Sequence, residues 1–278
     1  MAELLALTSA LVFGVVHFLS GLMARHADSY GIATAGQLGG TVLVLAAAPL
    51  IPAPHVELAA LGWGALSGVG TGVGVAYLYR GLARGRMSTV VPLSDVAAVA
   101  LPVLAGVALL GDRPSILAWI GIVLALPALW LVSRRDAVGA TGSATGTVDG
   151  LIAGIGFALQ FLAISRVDPA AGLWPILAAR VLATATIVPL ARAARATLRL
   201  PTRLVAPALL VGALGSVAIV LYLGATRQQL LAVATVLAAL YPVIPVVLAI
   251  TVLRERPNRS QLVGLGTAGA AIALLALA

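Results

Sequence analysis

Cysteine and lysine are both absent from this chain, and charged residues of any kind make up only 9% of it. Without cysteine it forms no disulfide and offers no thiolate to a metal ion. With charge so scarce and hydrophobic residues at 61%, there is too little polar surface to solvate a globular domain, so a water-soluble protein is excluded. The basic stretch that opens a cleavable signal peptide is also missing. Met1-Ala2-Glu3 runs straight into apolar sequence, so the first apolar run reads as a retained helix. No P-loop, catalytic-serine elbow or zinc-protease pattern occurs, which leaves ATP-driven transport and hydrolase chemistry without support. The chain is read as neither an enzyme nor the holder of a cofactor or metal.

Long apolar runs fill the chain instead, at 3–24, 31–51, 58–82, 87–110, 115–133, 148–165, 170–191, 204–226, 230–253 and 259–277. A helix needs about 20 apolar residues to cross about 30 Å of hydrocarbon. Lipid-exposed backbone must satisfy its own hydrogen bonds, and the runs lack the period-two alternation of a barrel strand. The expectation is therefore an all-α integral membrane protein of ten transmembrane helices. The polar interval 134–147, rich in Gly, Ala, Thr and Ser after Arg134-Arg135-Asp136, has the composition of a flexible linker. It divides a first five-helix unit, 1–133, from a second, 148–278.

One offset of 143 residues relates the two units. Leu110-Gly111-Asp112-Arg113-Pro114 falls on Leu253-Arg254-Glu255-Arg256-Pro257, Phe18-Leu19 on Phe161-Leu162, Tyr79 on Tyr222, Gly81 on Gly224, Arg84 on Arg227, Pro102 on Pro245 and Gly121 on Gly264. Because each unit has an odd number of helices, the second must enter the membrane from the other side. That makes an inverted repeat, an architecture that alternates access to a midplane site in many transporters.

The 17 basic residues are all arginine, and their placement reads as topology rather than as a nucleic-acid surface. Loops after odd-numbered runs carry 12 of them (25, 84, 86, 134, 135, 192, 195, 199, 203, 254, 256 and 259), and loops after even-numbered runs carry 3 (113, 166 and 227). The positive-inside rule then puts the linker in the cytoplasm and both termini outside the inner membrane.

Polar groups at membrane depth are costly and mark a cavity unless they pair structurally. Here they are His17, Ser20, Gln37, Ser94, Asp95, Gln160 and Arg180. His17 falls on Gln160 at the repeat offset and Gln37 on Arg180, so equivalent positions are polar in both units, as one shared cavity requires. Arg180 suits a substrate carboxylate bidentately; its structural alternative is an ion pair with Asp95. Asp95 reads as a coupling-ion or amine site, or as half of that pair. His17 is either a titratable group or an interhelical hydrogen-bond donor. Tyr77 and Tyr241 offer an aromatic face with a polar tip to an amphipathic solute. Pro102, Pro242 and Pro245 are hinge candidates, since proline frees backbone carbonyls within a helix. Trp63, Trp119, Trp130 and Trp174 lie near run ends and read as an interfacial belt. The glycines at 62, 64, 68, 70, 72 and 74 read as close helix packing rather than a phosphate loop.

The ten-run layout, the internal repeat and the paired Asp112-Arg113-Pro114 and Glu255-Arg256-Pro257 turns resemble the EamA-type drug/metabolite transporter superfamily, and within it the YddG-type amino-acid exporters. The resemblance covers the whole chain. It implies a basket around a central cavity lined by helices one, three, four, six, eight and nine, with five and ten set apart. It also implies export of amino acids or related metabolites, with drug efflux as the alternative cargo and an intramembrane enzyme or assembly factor as the less favoured class. Many members have cytoplasmic termini; the arginine distribution sets the opposite expectation here. The partners expected are the lipid bilayer and a small-molecule substrate.

Overall fold

A computed structural model describes residues 1–84, 87–133, 144–254 and 257–277. Among the described residues it is all helical, without strands. The helices are α1 (Ala2–Met23), α2 (Ser29–Ala47), α3 (Leu58–Arg84), α4 (Met87–Leu109), α5 (Ile116–Ser133), α6 (Ala144–Ser165), α7 (Trp174–Ala193), α8 (Thr202–Thr226), α9 (Leu231–Ala239), α10 (Val243–Thr251) and α11 (Arg259–Ala276). Among the described residues, eight stretches are long and apolar enough to cross a bilayer, and Leu93–Leu109 and Ile116–Val132 are shorter apolar helices. Large apolar side chains such as Val42, Leu104, Val123 and Leu210 are exposed on the outside, a surface suited to lipid tails and hostile to water.

One expectation changes. The ninth apolar run is two helices, α9 and α10, because Pro242 and Pro245 supply no N–H. The chain passes between them in a tight turn in which Val243 N–H donates to Leu240 O at 3.1 Å and Ile244 N–H to Tyr241 O at 3.0 Å. α6 begins at Ala144, inside the interval read as a linker; positions 134–143 lie outside the described residues.

The helix ends are fixed by local chemistry. Asp28 caps α2 by accepting from Tyr30 N–H at 2.9 Å. Asn258 and Gln261 close a reciprocal capping box at α11. The start of α9 is capped from a distance: the Asp112 carboxylate accepts from Ala232 N–H at 2.9 Å. Gly111, in the turn before Asp112, has φ 77°, and Arg254, its counterpart 143 residues on, has φ 56°. The counterpart acid, Glu255, lies outside the described residues.

Contacts between loops define two faces. On the face carrying most of the arginines, Thr197 N–H donates to Asp28 at 3.0 Å, joining the α7–α8 and α1–α2 loops. On the opposite face His55 N–H donates to Ala170 O at 3.3 Å, joining the α2–α3 and α6–α7 loops.

In packing, α3 lies against α6 and α7, as α8 lies against α1 and α2; α4 meets α6, as α9 and α10 meet α1; α5 and α11 pair with each other to one side. Small residues permit these approaches. A Cβ at Gly64 or Gly68 would collide with the α7 backbone at Pro175 and Ala179, and one at Gly70 would meet Gly156 O of α6 at 2.6 Å. The α2–α8 contact has the same basis, since a Cβ at Gly212 would overlap the Gly36 carbonyl.

Candidate functional site

A cavity of about 720 Å³ runs from the middle of the bundle toward the arginine-rich face. Its mouth is lined by Gly21, Ala24, Arg25, Ser29 and Leu253, its walls by Ile32, Ala33, Val75, Leu78, Tyr79 and Val211, and its inner end by Phe13, Gln37, Gln160, Phe161, Arg180 and Tyr241. α5 and α11 contribute no lining residue. α2 does, and Arg180 of α7 does too, although the family pattern omits both helices. The glycine contacts explain this: with so little bulk between α2 and α8, one face of α2 borders the interior.

The inner end is largely aromatic. His17 stacks on Tyr241 with ring centroids 4.5 Å apart and planes 26° apart. Phe13 approaches Phe161 edge to face at 6.3 Å and Tyr241 at 6.2 Å. His17 Nδ1 lies 2.7 Å from Phe13 O. A carbonyl only accepts, so Nδ1 carries a proton and Nε2 is the ring's remaining polar atom. The Tyr241 hydroxyl donates to Asp95 at 3.1 Å, which holds the ring at the α9–α10 break. Gly14 lets α1 abut that break, since its Cβ would lie 2.8 Å from Tyr241 O.

The polar inner groups come from both units. Arg180 Nη1 donates to Gln37 Oε1 at 3.0 Å, joining two positions 143 residues apart. Gln160 is bonded through its side chain to Thr71 at 2.7 Å, and its carbonyl accepts from Ser67 at 3.0 Å.

Thus His17, Gln160, Arg180 and Tyr241 lie together on the cavity, while Tyr77, Ser94 and Asp95 are not on its wall. On α3 the lining positions are Thr71, Val75, Leu78 and Tyr79; Tyr77 is two residues past Val75, about 200° around the helix. It lies instead under the Arg80 guanidinium, 4.0 Å from the ring centroid. Arg80 in turn grips Asp149 of α6, with Nη2 to Oδ1 at 2.6 Å and Nε to both carboxylate oxygens at 3.1 Å. Ser94 is buried where Gly154 brings α6 onto α4. Asp95 is bonded to the Tyr241 hydroxyl and is not itself on the cavity wall. The ion pair weighed for Arg180 and Asp95 does not form: Arg180 bonds to Gln37, and Asp95 to Tyr241.

Among the hinge candidates, Pro242 caps α10 at the break and Pro245 lies in its first turn on the cavity wall. Pro102 is buried within α4, which runs on through it. Of the tryptophans, Trp63 and Trp119 are the most exposed. Sequence reasoning missed Asp149, Thr71 and the aromatic pair Phe13 and Phe161. Asp149 was detectable as an acidic residue opposite Arg80 in the neighbouring unit, whereas phenylalanines in apolar helices carry no distinguishing signal.

At the face remote from the mouth the interior is shut. Phe161, Ile164, Val167, Ile176, Ala218 and Tyr222 form one buried cluster. Within it the Tyr222 hydroxyl bonds to Thr235 at 2.9 Å and donates to Phe161 O at 3.4 Å.

A multi-pass helical bundle holding a solute-sized cavity, open at one face and shut at the other, has the form of a membrane transporter. The model of the EamA-like transporter family matches residues 1–134 and 142–277. The chain belongs to that family. A solved structure described only as the crystal structure of a protein has a TM-score of 0.75 to it at 16% identity, covering 99% of this chain and 96% of that one; this likeness shows the fold. No curated protein matches the chain.

Proposed function

We propose that this transporter is a secondary carrier that exports amino acids, aromatic or other neutral ones, by alternating access between two inverted five-helix repeats. The observation that carries this reading is how the 143-residue register relates the closed end to the open one. Shifted back by that offset, six of the ten second-unit residues of the closing cluster, Phe161, Ile164, Val167, Ile176, Ala218 and Tyr222, become Phe18, Gly21, Ala24, Ala33, Val75 and Tyr79, all of which line the open cavity. Exchanging the conformations of the halves would seal the mouth with Phe18 and Tyr79 while parting Phe161 and Tyr222. The reciprocal helix contacts and the matching left-handed turns at Gly111 and Arg254 support the same symmetry.

The arginine distribution supports a cytoplasmic open face and extracytoplasmic termini, in an inner membrane. A cytoplasmic mouth fits loading for export. An aromatic inner end with few polar groups suits a small solute with an apolar body.

Counterflow in proteoliposomes across a panel of labelled solutes tests the reading. Exchange of phenylalanine, tyrosine or a neutral aliphatic amino acid is expected. Exchange confined to lipophilic cations or to sugars would overturn the amino-acid assignment in favour of drug or metabolite efflux.

A further inference from the structure

Arg180 is 6% exposed and deep in the bundle, yet among the described residues Gln37 is the one acceptor it meets: its Nε and Nη2 are buried and make no hydrogen bond. It forms no ion pair with any described residue. A buried guanidinium given one neutral partner out of five N–H donors is poorly compensated, and structural arginines in lipid are rarely left so. The uncommitted Nε and Nη2 form the edge of the guanidinium fork that matches two carboxylate oxygens. A methyl group added at Gly215 would meet only Nη2, at 3.9 Å, so α8 packs loosely over this edge at Gly215, which itself lines the cavity.

We infer that the Nε–Nη2 edge of Arg180 is the anchor for the carboxylate of a monoanionic or zwitterionic solute, with Gln37 holding the guanidinium in place from its other end. The aromatic group of Phe13, Phe161 and Tyr241 then receives the apolar body of the same solute. A single cation matches a single negative charge. A phosphate dianion would be left half neutralised, so the site selects for carboxylates. The inference rests on the carrier reading and narrows its cargo.

The test is thermal stabilisation of the purified full-length protein in detergent by four probes: benzoate, benzamide, L-phenylalanine and inorganic phosphate. Benzoate and benzamide share shape and ring and differ in charge. Benzoate and phenylalanine are expected to bind at least about tenfold more tightly than benzamide, and phosphate not to bind. Arg180→Gln should remove that preference. Because this variant also disturbs the α2–α7 contact, Gln37→Glu is the sharper test. It puts a carboxylate of the protein's own on Arg180, which keeps or raises thermal stability, while benzoate binding falls at least about tenfold and benzamide binding stays as it was. An arginine that merely tied α7 to α2 would show unchanged benzoate binding in Gln37→Glu, and that result overturns the inference. Benzoate binding no better than benzamide in the wild type, or phosphate competing equally, overturns it too. Benzoate held through Arg180 without binding of any amino acid would leave the anchor standing and sink the amino-acid cargo.

Discussion

Tyr222→Phe removes one oxygen from the closed end of the bundle and nothing else. Tyr222 is 0% exposed, and its hydroxyl is bonded to Thr235 of α9 at 2.9 Å and to Phe161 O of α6 at 3.4 Å. The shorter bond contributes about 1 kcal/mol, and the longer, at the limit of useful geometry, much less. Thr235 loses its partner but can turn its hydroxyl onto a carbonyl in its own preceding turn, which keeps the total near ~1–2 kcal/mol. That is a shift of about five- to thirtyfold in whatever equilibrium opens this end. Because the chain contains no cysteine, a single reporter thiol has no background. Ala238→Cys places one in the buried cluster at a 0% exposed site. Adding Tyr222→Phe should speed maleimide labelling of that thiol by the same five- to thirtyfold, with little change in the global melting temperature. An unaltered labelling rate together with a lowered melting temperature would show that the bond supports the whole fold instead of a gate.

Two further substitutions probe other parts of the frame. Gly111→Ala at φ 77°, where an added Cβ meets nothing within 4 Å, should destabilise by about 1–2 kcal/mol through backbone strain alone; Arg254→Gly, at the matching position, should be neutral or stabilising, with denaturant midpoints as the readout. Asp149→Ala takes a buried carboxylate from Arg80, whose side chain is 34% exposed and can turn to water. The loss should therefore stay near ~1–3 kcal/mol, below the cost of stranding a fully buried charge, and Asp149→Asn should recover part of it; thermal unfolding measures both.

The helices were legible because spanning a bilayer demands long apolar runs, and most run ends lie within a few residues of the helix ends. The break at Leu240–Pro242 was foreshadowed by its prolines, but hydropathy cannot register it, since both sides are equally apolar. The site was half legible. Polarity at equivalent positions singled out His17, Gln160, Gln37 and Arg180, because intramembrane polar groups are rare enough to count. Tyr77 misled because helical phase within an all-apolar helix gives no amphipathic stripe to orient it. The Asp95 pairing misled because charge complementarity says nothing about distance: Tyr241, not Arg180, was within reach.

The bond between Gln37 and Arg180 joins a residue to its own counterpart in the other half. Two copies of the second half assembled in the same way would set guanidinium against guanidinium at hydrogen-bonding distance, and like charges that close in a buried site repel strongly. Two copies of the first half would set amide against amide and leave this spot without a charge. A single positive charge at this spot is therefore open only to halves that are free to differ in sequence, and that inequality sets one end of an otherwise balanced interior apart by its charge.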